Sequence, residues 1–341
     1  MKTLSFIIPA YNSENFLRKC VNSMLVPEAL SKLEVIIVND GSTDQTEKIA
    51  QEFCTNYPDT IFLISQENKG HGGALNTGCA AATGKYLKVV DADDWVDTQN
   101  LTSFLTFLEG CQSDVVLTHY RTIDIGTGQI RNWKSYPDAF GMAYSFDQIL
   151  SNWSSFERAL TFHGIAYRTS FYREKGIQLS EHVFYEDYEF ATFPCCHGES
   201  ITCFDLFLYD YRIGDVNQSV SDASRLNRLG HMETVIDRLT TEYQELPNSS
   251  GKRYAAVKLQ ELLLSYLTTV LLTDPDRRRG RMRAKRIMET CRRETPEVFA
   301  MAGKKYGAFY LMNLLHLSRK DWNRVLNSRA YRLLRRKHSF D

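Results

Sequence analysis

The chain of 341 residues and 39.3 kDa is 43% hydrophobic and 24% charged, a globular composition with enough length for one large unit and a smaller one. Its net charge of +0 hides an asymmetry, since residues 1–230 hold 18 Lys/Arg against 29 Asp/Glu and residues 231–341 hold 23 against 12. The acidic front half argues against a general nucleic-acid binder unless the basic tail acts separately, and no run of about 18 uncharged apolar residues predicts a membrane-spanning helix. Eight cysteines without a CxxC spacing read as free thiols in a reducing cytoplasm.

The opening MKTLSFIIPAYNSE carries a short apolar run with no small-residue cleavage site, so it reads as a first strand and not as a secretion signal. Ser13 is placed to cap a helix through Met24, with Phe16, Leu17, Cys20, Val21 and Met24 on one face. LEVIIVNDG reads as a second strand, and Ser42 or Thr43 as the start of a helix carrying Ile49, Ala50 and Phe53. TIFLISQEN is a third strand, GGALNTGCAAATG a Gly/Ala-rich helix, and YLKVVDADD a fourth strand. Val/Ile/Leu runs without strict alternation predict a mostly parallel sheet covered on both faces. A helix over Thr98–Leu108 and the strand DVVLTHY follow. Residues 124–150 read as irregular, a helical segment spans 180–196, and ITCFDLFLYDYRI is a further strand. Beyond residue 222 the pattern is helical, over 222–246, 252–272, 280–291 and 321–335. The implied division is a domain over 1–221 and a basic helical region over 222–341.

In sheets of this kind ligands sit beyond the carboxyl ends of the strands. The polar clusters fall there: Pro9 to Asn12, Asn39 to Ser42, Glu67 to Gly70, and Asp91 to Asp94. Asp91, Asp93 and Asp94 fall within four residues and repel one another unless a cation or a donor-rich loop compensates. Mg²⁺ or Mn²⁺ suits such hard oxygen ligands. In an extended segment Asp91 and Asp93, separated only by Ala92, point the same way. The bland alternative is a solvated acidic turn that caps a helix at Asp94 or Asp97. Asp40 beside Gly41 and Ser42 suits a uracil edge or a ribose hydroxyl, and ENKGHGG permits close backbone approach to a ligand. The glycine pattern is neither GxGxxG nor GxxxxGK[ST], which weakens the dinucleotide and ATP-loop readings.

FIIPAYNSENFLRKCVNSM, VIIVNDGSTDQT, ENKGHGGALNTGCAAATGKYLKVVDADDW and YEDYEF together resemble the nucleotide-sugar-dependent glycosyltransferases of family 2, which have the GT-A fold. The likeness covers most of residues 1–220. It implies a catalytic domain whose donor side is roughly 1–120 and acceptor side roughly 121–221. It also implies that Pro9, Ala10, Tyr11 and Asn12 line the nucleoside pocket, that Asp40 contacts uracil, and that Asn68, Gly70 and Asn76 shape the nucleotide site. Asp91, Ala92 and Asp93 match the Asp-x-Asp pair that holds the divalent cation and the sugar diphosphate, with Asp93 as the direct ligand. Glu186 and Asp187 match the family's Glu-Asp pair, Asp187 as base and Glu186 as a positioner of the acceptor. Without the resemblance, that pair reads as an ordinary helix surface. YDYRIGDVNQSVS resembles a segment that closes over donor phosphates, with Arg212, Gln218 and Ser219 as candidates. The activity implied is inverting transfer from a nucleotide-sugar, a UDP-sugar first, to a hydroxyl of a glycan or lipid-linked acceptor in cell-surface polysaccharide or glycolipid synthesis. A nucleotidyltransferase and an inactive sugar-binding partner are the alternatives.

The sequence also departs from the family. Relatives carry Ala-Arg-Asn where this chain has Ala74, Leu75 and Asn76; His71 or Lys69 can supply the missing charge or be plain loop residues. The Gln-x-x-Arg-Trp motif of processive synthases is absent, so single additions are expected. Lys88 lies in the apolar run before Asp91, where it must snorkel, pair with an acid or reach phosphate. Tyr185, Tyr188 and Phe190 read as core or as an acceptor platform. The tail holds nine Lys/Arg between Arg277 and Arg293 and eight from Arg319 to Lys337, with Trp322, Val325, Leu326, Leu333 and Leu334 as an interrupted apolar face. Packing against the catalytic domain, self-association, and peripheral attachment to anionic lipid at the inner face of the cell membrane all suit that pattern.

Overall fold

The computed structural model describes residues 2–135, 142–214 and 222–327. The chain divides into two compact units, Met1–Gln218 with Leu246–Ala255, and Ser219–Glu245 with Ala256–Asp341.

The first unit is built on a mixed sheet. Strands β1 (Leu4–Ala10), β2 (Leu33–Asp40), β3 (Ile61–Gln66) and β4 (Tyr86–Val89) run parallel in the order β3-β2-β1-β4. Their connections are α1 (Leu17–Met24), α2 (Thr46–Asn56) and α3 (Gly70–Ala81). Every residue of β1, β2 and β4 is buried, as expected for strands covered on both faces. After β4 come the short β5 (Trp95–Val96) and α4 (Thr98–Gly110), which Asp97 caps by accepting from the Gln99 amide at 3.0 Å. The sheet continues through β9 (Ile165–Arg168), β6 (Val115–Asp124) and β10 (Ile201–Ile213) to β5. Strand β9 lies antiparallel to both β4 and β6, which reverses the direction once within an otherwise parallel core.

Several expected boundaries move, each for a local reason. Helix α1 begins at Leu17 and not at Ser13, because the Ser13 amide donates to Thr46 Oγ1 (2.7 Å) and its hydroxyl to the Tyr11 carbonyl (3.1 Å). Helix α2 begins at Thr46 because Ser42 and Thr43 are held by Asn12: the Asn12 amide donates to Ser42 Oγ (3.0 Å) and Asn12 Oδ1 accepts from the Thr43 amide (2.9 Å). The region read as irregular over 124–150 contains β7 (Ile130–Trp133) paired to β6, β8 (Ala143–Tyr144) paired to β10, and α5 (Phe146–Ser151) with a complete capping box at Ser145 and Gln148. Pro137 and Gly141 lie outside the described residues. Short helices α6 (Trp153–Phe156) and α7 (Thr169–Glu174) follow. The helix expected over 180–196 is α8, limited to Asp187–Cys196. Residues 180–186 are instead a loop, with left-handed backbone at His182 (φ 55°) and Tyr185 (φ 76°).

The second unit is helical: α9 (Asp222–Asn227), α10 (Leu229–Glu245), α11 (Ser250–Thr268, its first turns belonging to the first unit), α12 (Arg277–Glu294), α13 (Pro296–Leu314) and α14 (Arg319–Asn327). Helix α13 was not expected from periodicity, since its leucines and tyrosines surround the axis instead of marking one stripe. The stretch Ser250–Thr273 is long and apolar enough to cross a membrane by length and composition. Its most apolar window is also 67% buried, as in the core helix of a folded protein. Trp322 packs edge-on against Phe309 with ring centroids 5.1 Å apart, so this member of the expected tail face is a packing residue. The side chains of Val325 and Leu326, and residues Leu333 and Leu334, lie outside the described set.

Candidate active site

Strand β4 ends in the loop that carries Asp91, Asp93 and Asp94, whose carboxylate oxygens come within 4.8 Å of one another. Their surroundings differ. Asp94 is 1% exposed; its Oδ2 accepts from the Tyr209 hydroxyl at 2.5 Å and its Oδ1 from the Arg212 amide at 2.7 Å. It therefore pins the loop to β10. Burial, then the charges of Asp91 and Asp93, push its carboxyl well above the usual range. Asp93 is the most open of the three, with the Arg212 guanidinium 3.7 Å away; burial and Asp91 raise its pKa to about 6. Ala92 between them turns its methyl into the apolar core, which leaves Asp91 and Asp93 on the open side.

Asp91 is compensated by a residue from a different strand end. His71, in the first turn of α3, places Nε2 2.8 Å from Asp91 Oδ1 and Nδ1 2.6 Å from Glu186 Oε1. Burial opposes a charged ring here, but the two carboxylates prevail and raise the imidazole pKa well above its ordinary value. A carboxylate at each ring nitrogen favours the protonated ring, and His71 in turn holds Asp91 below the usual carboxylate range although Asp91 is partly buried. The reading of His71 as a loop residue is corrected: it bridges the two acidic motifs of the chain, about 20 and 115 residues away in sequence.

Beside this bridge lies a cavity of about 340 Å³ lined by Pro9, Ala10 and Tyr11 at the end of β1, Asp40 at the end of β2, and Asn68, Gly70, His71 and Ala74 at the start of α3. His182, Val183 and Phe184 complete it from the loop before α8. Asp40 Oδ1 accepts from Gln66 Nε2 (2.7 Å) and the Lys69 amide (2.9 Å), and Asn68 Nδ2 donates to the Asp40 carbonyl (2.9 Å). Gly41 and Gly70 have φ of 72° and 76°, and a Cβ on either would strike backbone nitrogen, of Asn68 at 2.9 Å and of His182 at 2.8 Å. Only glycine allows this close approach of the three loops.

The structure brings Pro9, Ala10, Tyr11, Asp40, Asn68 and Gly70 together around one cavity. Asn12 and Asn76 are not among its lining. Asn12 joins the β1 and β2 ends, and Asn76 clamps Leu179 from both sides, Nδ2 donating to its carbonyl (2.9 Å) and Oδ1 accepting from its amide (2.8 Å). That clamp, with the Ser180 amide and hydroxyl both donating to Glu189 at 2.7 Å, delivers the 182–184 loop to the cavity. Glu186 is buried against His71, whereas Asp187 is exposed as the first residue of α8, close enough for its charge to raise the Tyr211 pKa together with burial and the three aspartates. Arg212 is fixed by its backbone bond to Asp94 and lies over the Phe16 ring at 4.6 Å. Gln218 and Ser219 lie outside the described residues.

Lys88 neither snorkels nor reaches the cluster. It is fully buried and donates to the carbonyls of His163 (2.8 Å) and Ile165 (3.1 Å), and burial lowers its pKa to about 7. Phe190 is a core residue at 0% exposure, in contact with Phe162, Tyr167 and Tyr172. The sequence reading misses Tyr209 and the 182–184 loop. No local pattern marks them, because each is set by a hydrogen bond across more than a hundred residues or by loop conformation.

Residues 5–174 match the sequence profile described as Glycosyl transferase family 2. Glycosyltransferase GlyA of Streptococcus pneumoniae is 32% identical over 154 residues, 45% of this chain and 21% of that protein. The uncharacterized glycosyltransferase YibD of Escherichia coli is 39% identical over 134 residues, 39% of this chain and 38% of that protein. The matched stretch thus spans well under half the length of these curated relatives. Among solved structures, residues 1–349 of S. aureus TarS superpose with a TM-score of 0.65 at 19% identity, over 92% of this chain and 90% of that one. The mannosyltransferase PcManGT of Pyrobaculum calidifontis, in complex with GDP-Man and Mn²⁺, gives 0.50 at 16% identity, over 91% and 86%. At these identities the structural likeness is one of fold, the GT-A fold.

Proposed function

The chain belongs to glycosyl transferase family 2 through residues 5–174, and on that premise we propose that it transfers a sugar from a UDP-sugar to a hydroxyl of a glycan or lipid-linked acceptor, with inversion at the anomeric carbon. The observation that carries the reading is the carboxylate cluster at the end of β4 standing beside a cavity walled by the ends of β1 and β2 and the start of α3. TarS has been crystallised with UDP-GlcNAc, which supports a uracil nucleotide as the first donor to test.

The donor set fits a hard divalent cation. Asp91 and Asp93 present oxygens on the open side of the loop, and burial together with repulsion from Asp91 raises the pKa of Asp93 even with Arg212 3.7 Å away, a strain that a bound cation relieves. These two residues would hold Mg²⁺ or Mn²⁺, which when bound neutralises charge on the departing diphosphate. Asp94 is a poor ligand, since both its oxygens already accept from Tyr209 and Arg212. Asp40 and Asn68 offer polar edges to the base and ribose in the cavity. Asp187, exposed at the N-terminus of α8, takes the proton from the acceptor hydroxyl as its oxygen attacks the anomeric carbon opposite the leaving group. Glu186 and His71 hold Asp91 in place from the acceptor side.

Nucleotide release from UDP-, GDP- and dTDP-sugars, measured with and without Mn²⁺, tests the reading. Mn²⁺-dependent release from a UDP-sugar is expected. Failure of every nucleotide-sugar to bind or turn over with the metal present would overturn it.

A further inference from the structure

Eleven large apolar side chains stand exposed among the described residues, and four of them fall at the end of α13: Leu311 (56%), Leu314 (49%), Leu315 (61%) and Leu317 (38%). A fifth, Met282 (60%), lies on the adjoining helix α12, where its chain neighbour Arg281 donates from Nη1 to Asn313 Oδ1 at 2.6 Å. Single exposed leucines are ordinary, but four between Leu311 and Leu317 at one helix end mark a contact surface.

The buried face of α13 is Val298, Ala302, Phe309 and Asn313. On the opposite face, Lys304, Ala308, Leu311 and Leu315 follow one another at intervals of three and four residues, so the last turns of the helix carry apolar side chains on the open face as well as on the buried one. Such a helix end is normally enclosed. Here it is open, and the chain turns back at once: His316 has φ 57° and the Leu317 amide donates to the Met312 carbonyl at 2.9 Å. Leu317 thereby joins the ridge.

Charge decides among the occupants. From Arg277 to Lys320 the sequence holds thirteen Lys/Arg against three Glu. Two of those acids are already neutralised, Glu289 by Lys285 at 3.8 Å and Glu294 by Arg293 at 2.6 Å. Arg278, Lys304 and Lys305 are exposed and make no ion pair among the described residues. A second copy seated ridge to ridge would set these cations against their own kind. Nucleic acid would meet the cations but leave the leucines in water. A leaflet of anionic phospholipid satisfies both, with acyl chains under the leucines and phosphates at the basic rim.

We propose that the α12–α13 ridge docks on an anionic phospholipid membrane, with Leu311, Leu314, Leu315, Leu317 and Met282 entering the acyl boundary and Arg278, Lys304 and Lys305 meeting the headgroups. Such docking stands whatever the chain transfers. Sedimentation of the full chain with vesicles of phosphatidylcholine alone, or mixed with phosphatidylglycerol, tests it. Binding is expected only to the mixed vesicles, and it weakens as salt is raised. The pair Leu311→Ser with Leu315→Ser lowers affinity about tenfold or more, as does Lys304→Glu with Lys305→Glu, at unchanged melting temperature because all four positions are exposed. Failure of the wild-type chain to sediment with anionic vesicles overturns the proposal, and so does undiminished binding by the leucine pair. A concentration-dependent dimer that the leucine pair abolishes, with no vesicle binding, would make the ridge a homotypic interface instead.

Discussion

His71 and Asp91 share a 2.8 Å contact that joins the start of α3 to the end of β4, and the other nitrogen of the same ring reaches Glu186 at 2.6 Å. An imidazolium between two carboxylates both neutralises and aims them. His71→Ala is expected to lower kcat at least tenfold, because Asp91 then swings under repulsion from Asp93, and to weaken UDP binding less than it lowers kcat, His71 being one residue of the cavity lining. His71→Gln, which keeps one donor, falls between the two. Steady-state kinetics of the three proteins checks the order; a fully active alanine variant would remove His71 from the site.

Asp93 and Asp94 are neighbours in sequence with opposite assignments. Asp93→Asn removes the proposed cation ligand and, among the described residues, no side-chain hydrogen bond to another residue, so metal-dependent transfer is expected to be lost at an unchanged or slightly raised melting temperature. Asp94→Asn turns an amide group toward a donor that needs an acceptor and is expected to cost roughly 1–3 kcal/mol of stability. Denaturant melts beside activity assays separate the two. Equal destabilisation by both would contradict the division.

Lys88 makes a pH prediction away from the site. Its pKa is lowered on folding, from 10.5 to about 7, so between those values the unfolded chain binds a proton that the folded chain does not. Stability therefore rises with pH from about 7 toward 10, by at most about 1.4 kcal/mol per pH unit, and below about 7 the Lys88 contribution stays flat. A neutral amine, with two hydrogens for the carbonyls of His163 and Ile165, fits this setting. Lys88→Met should flatten the slope, as urea denaturation at pH 7, 8 and 9 would reveal; an unchanged slope would mean that the ammonium stays charged inside.

Asp187 carries the base assignment. Asp187→Asn is expected to reduce kcat roughly 10²–10⁴-fold while UDP binding holds, since the side chain stands on α8 and outside the cavity lining. Glu186→Gln should act as a milder version of the His71 variants, through the same ring. Parallel kcat and UDP-affinity measurements decide; a loss of UDP affinity in Asp187→Asn would place this carboxylate on the donor side.

Much of this was legible in the residues themselves. The four apolar runs ending in PAYN, NDGS, ENKG and DADD place their polar ends on one edge of the sheet, because parallel strands with buried faces leave only their carboxyl ends free for chemistry. The reversed strand β9 was not legible: IAYR is four residues long, and its direction is set by β4 and β6 on either side. Nor was His71 as a bridge, because the contact exists only once α3, β4 and α8 have converged. The clamp of Asn76 on Leu179 likewise joins residues 103 apart through side chain to backbone, a pairing that no spacing in the sequence encodes.

Titration of Mn²⁺ into the chain, with and without UDP, asks most directly whether the aspartates of the DADD loop and the neighbouring cavity form one site for a cation and a nucleotide. Each ligand is expected to tighten the other by the same factor, about tenfold or more, and Asp93→Asn to abolish the coupling. UDP affinity that ignores Mn²⁺, or coupling that survives in Asp93→Asn, would contradict this.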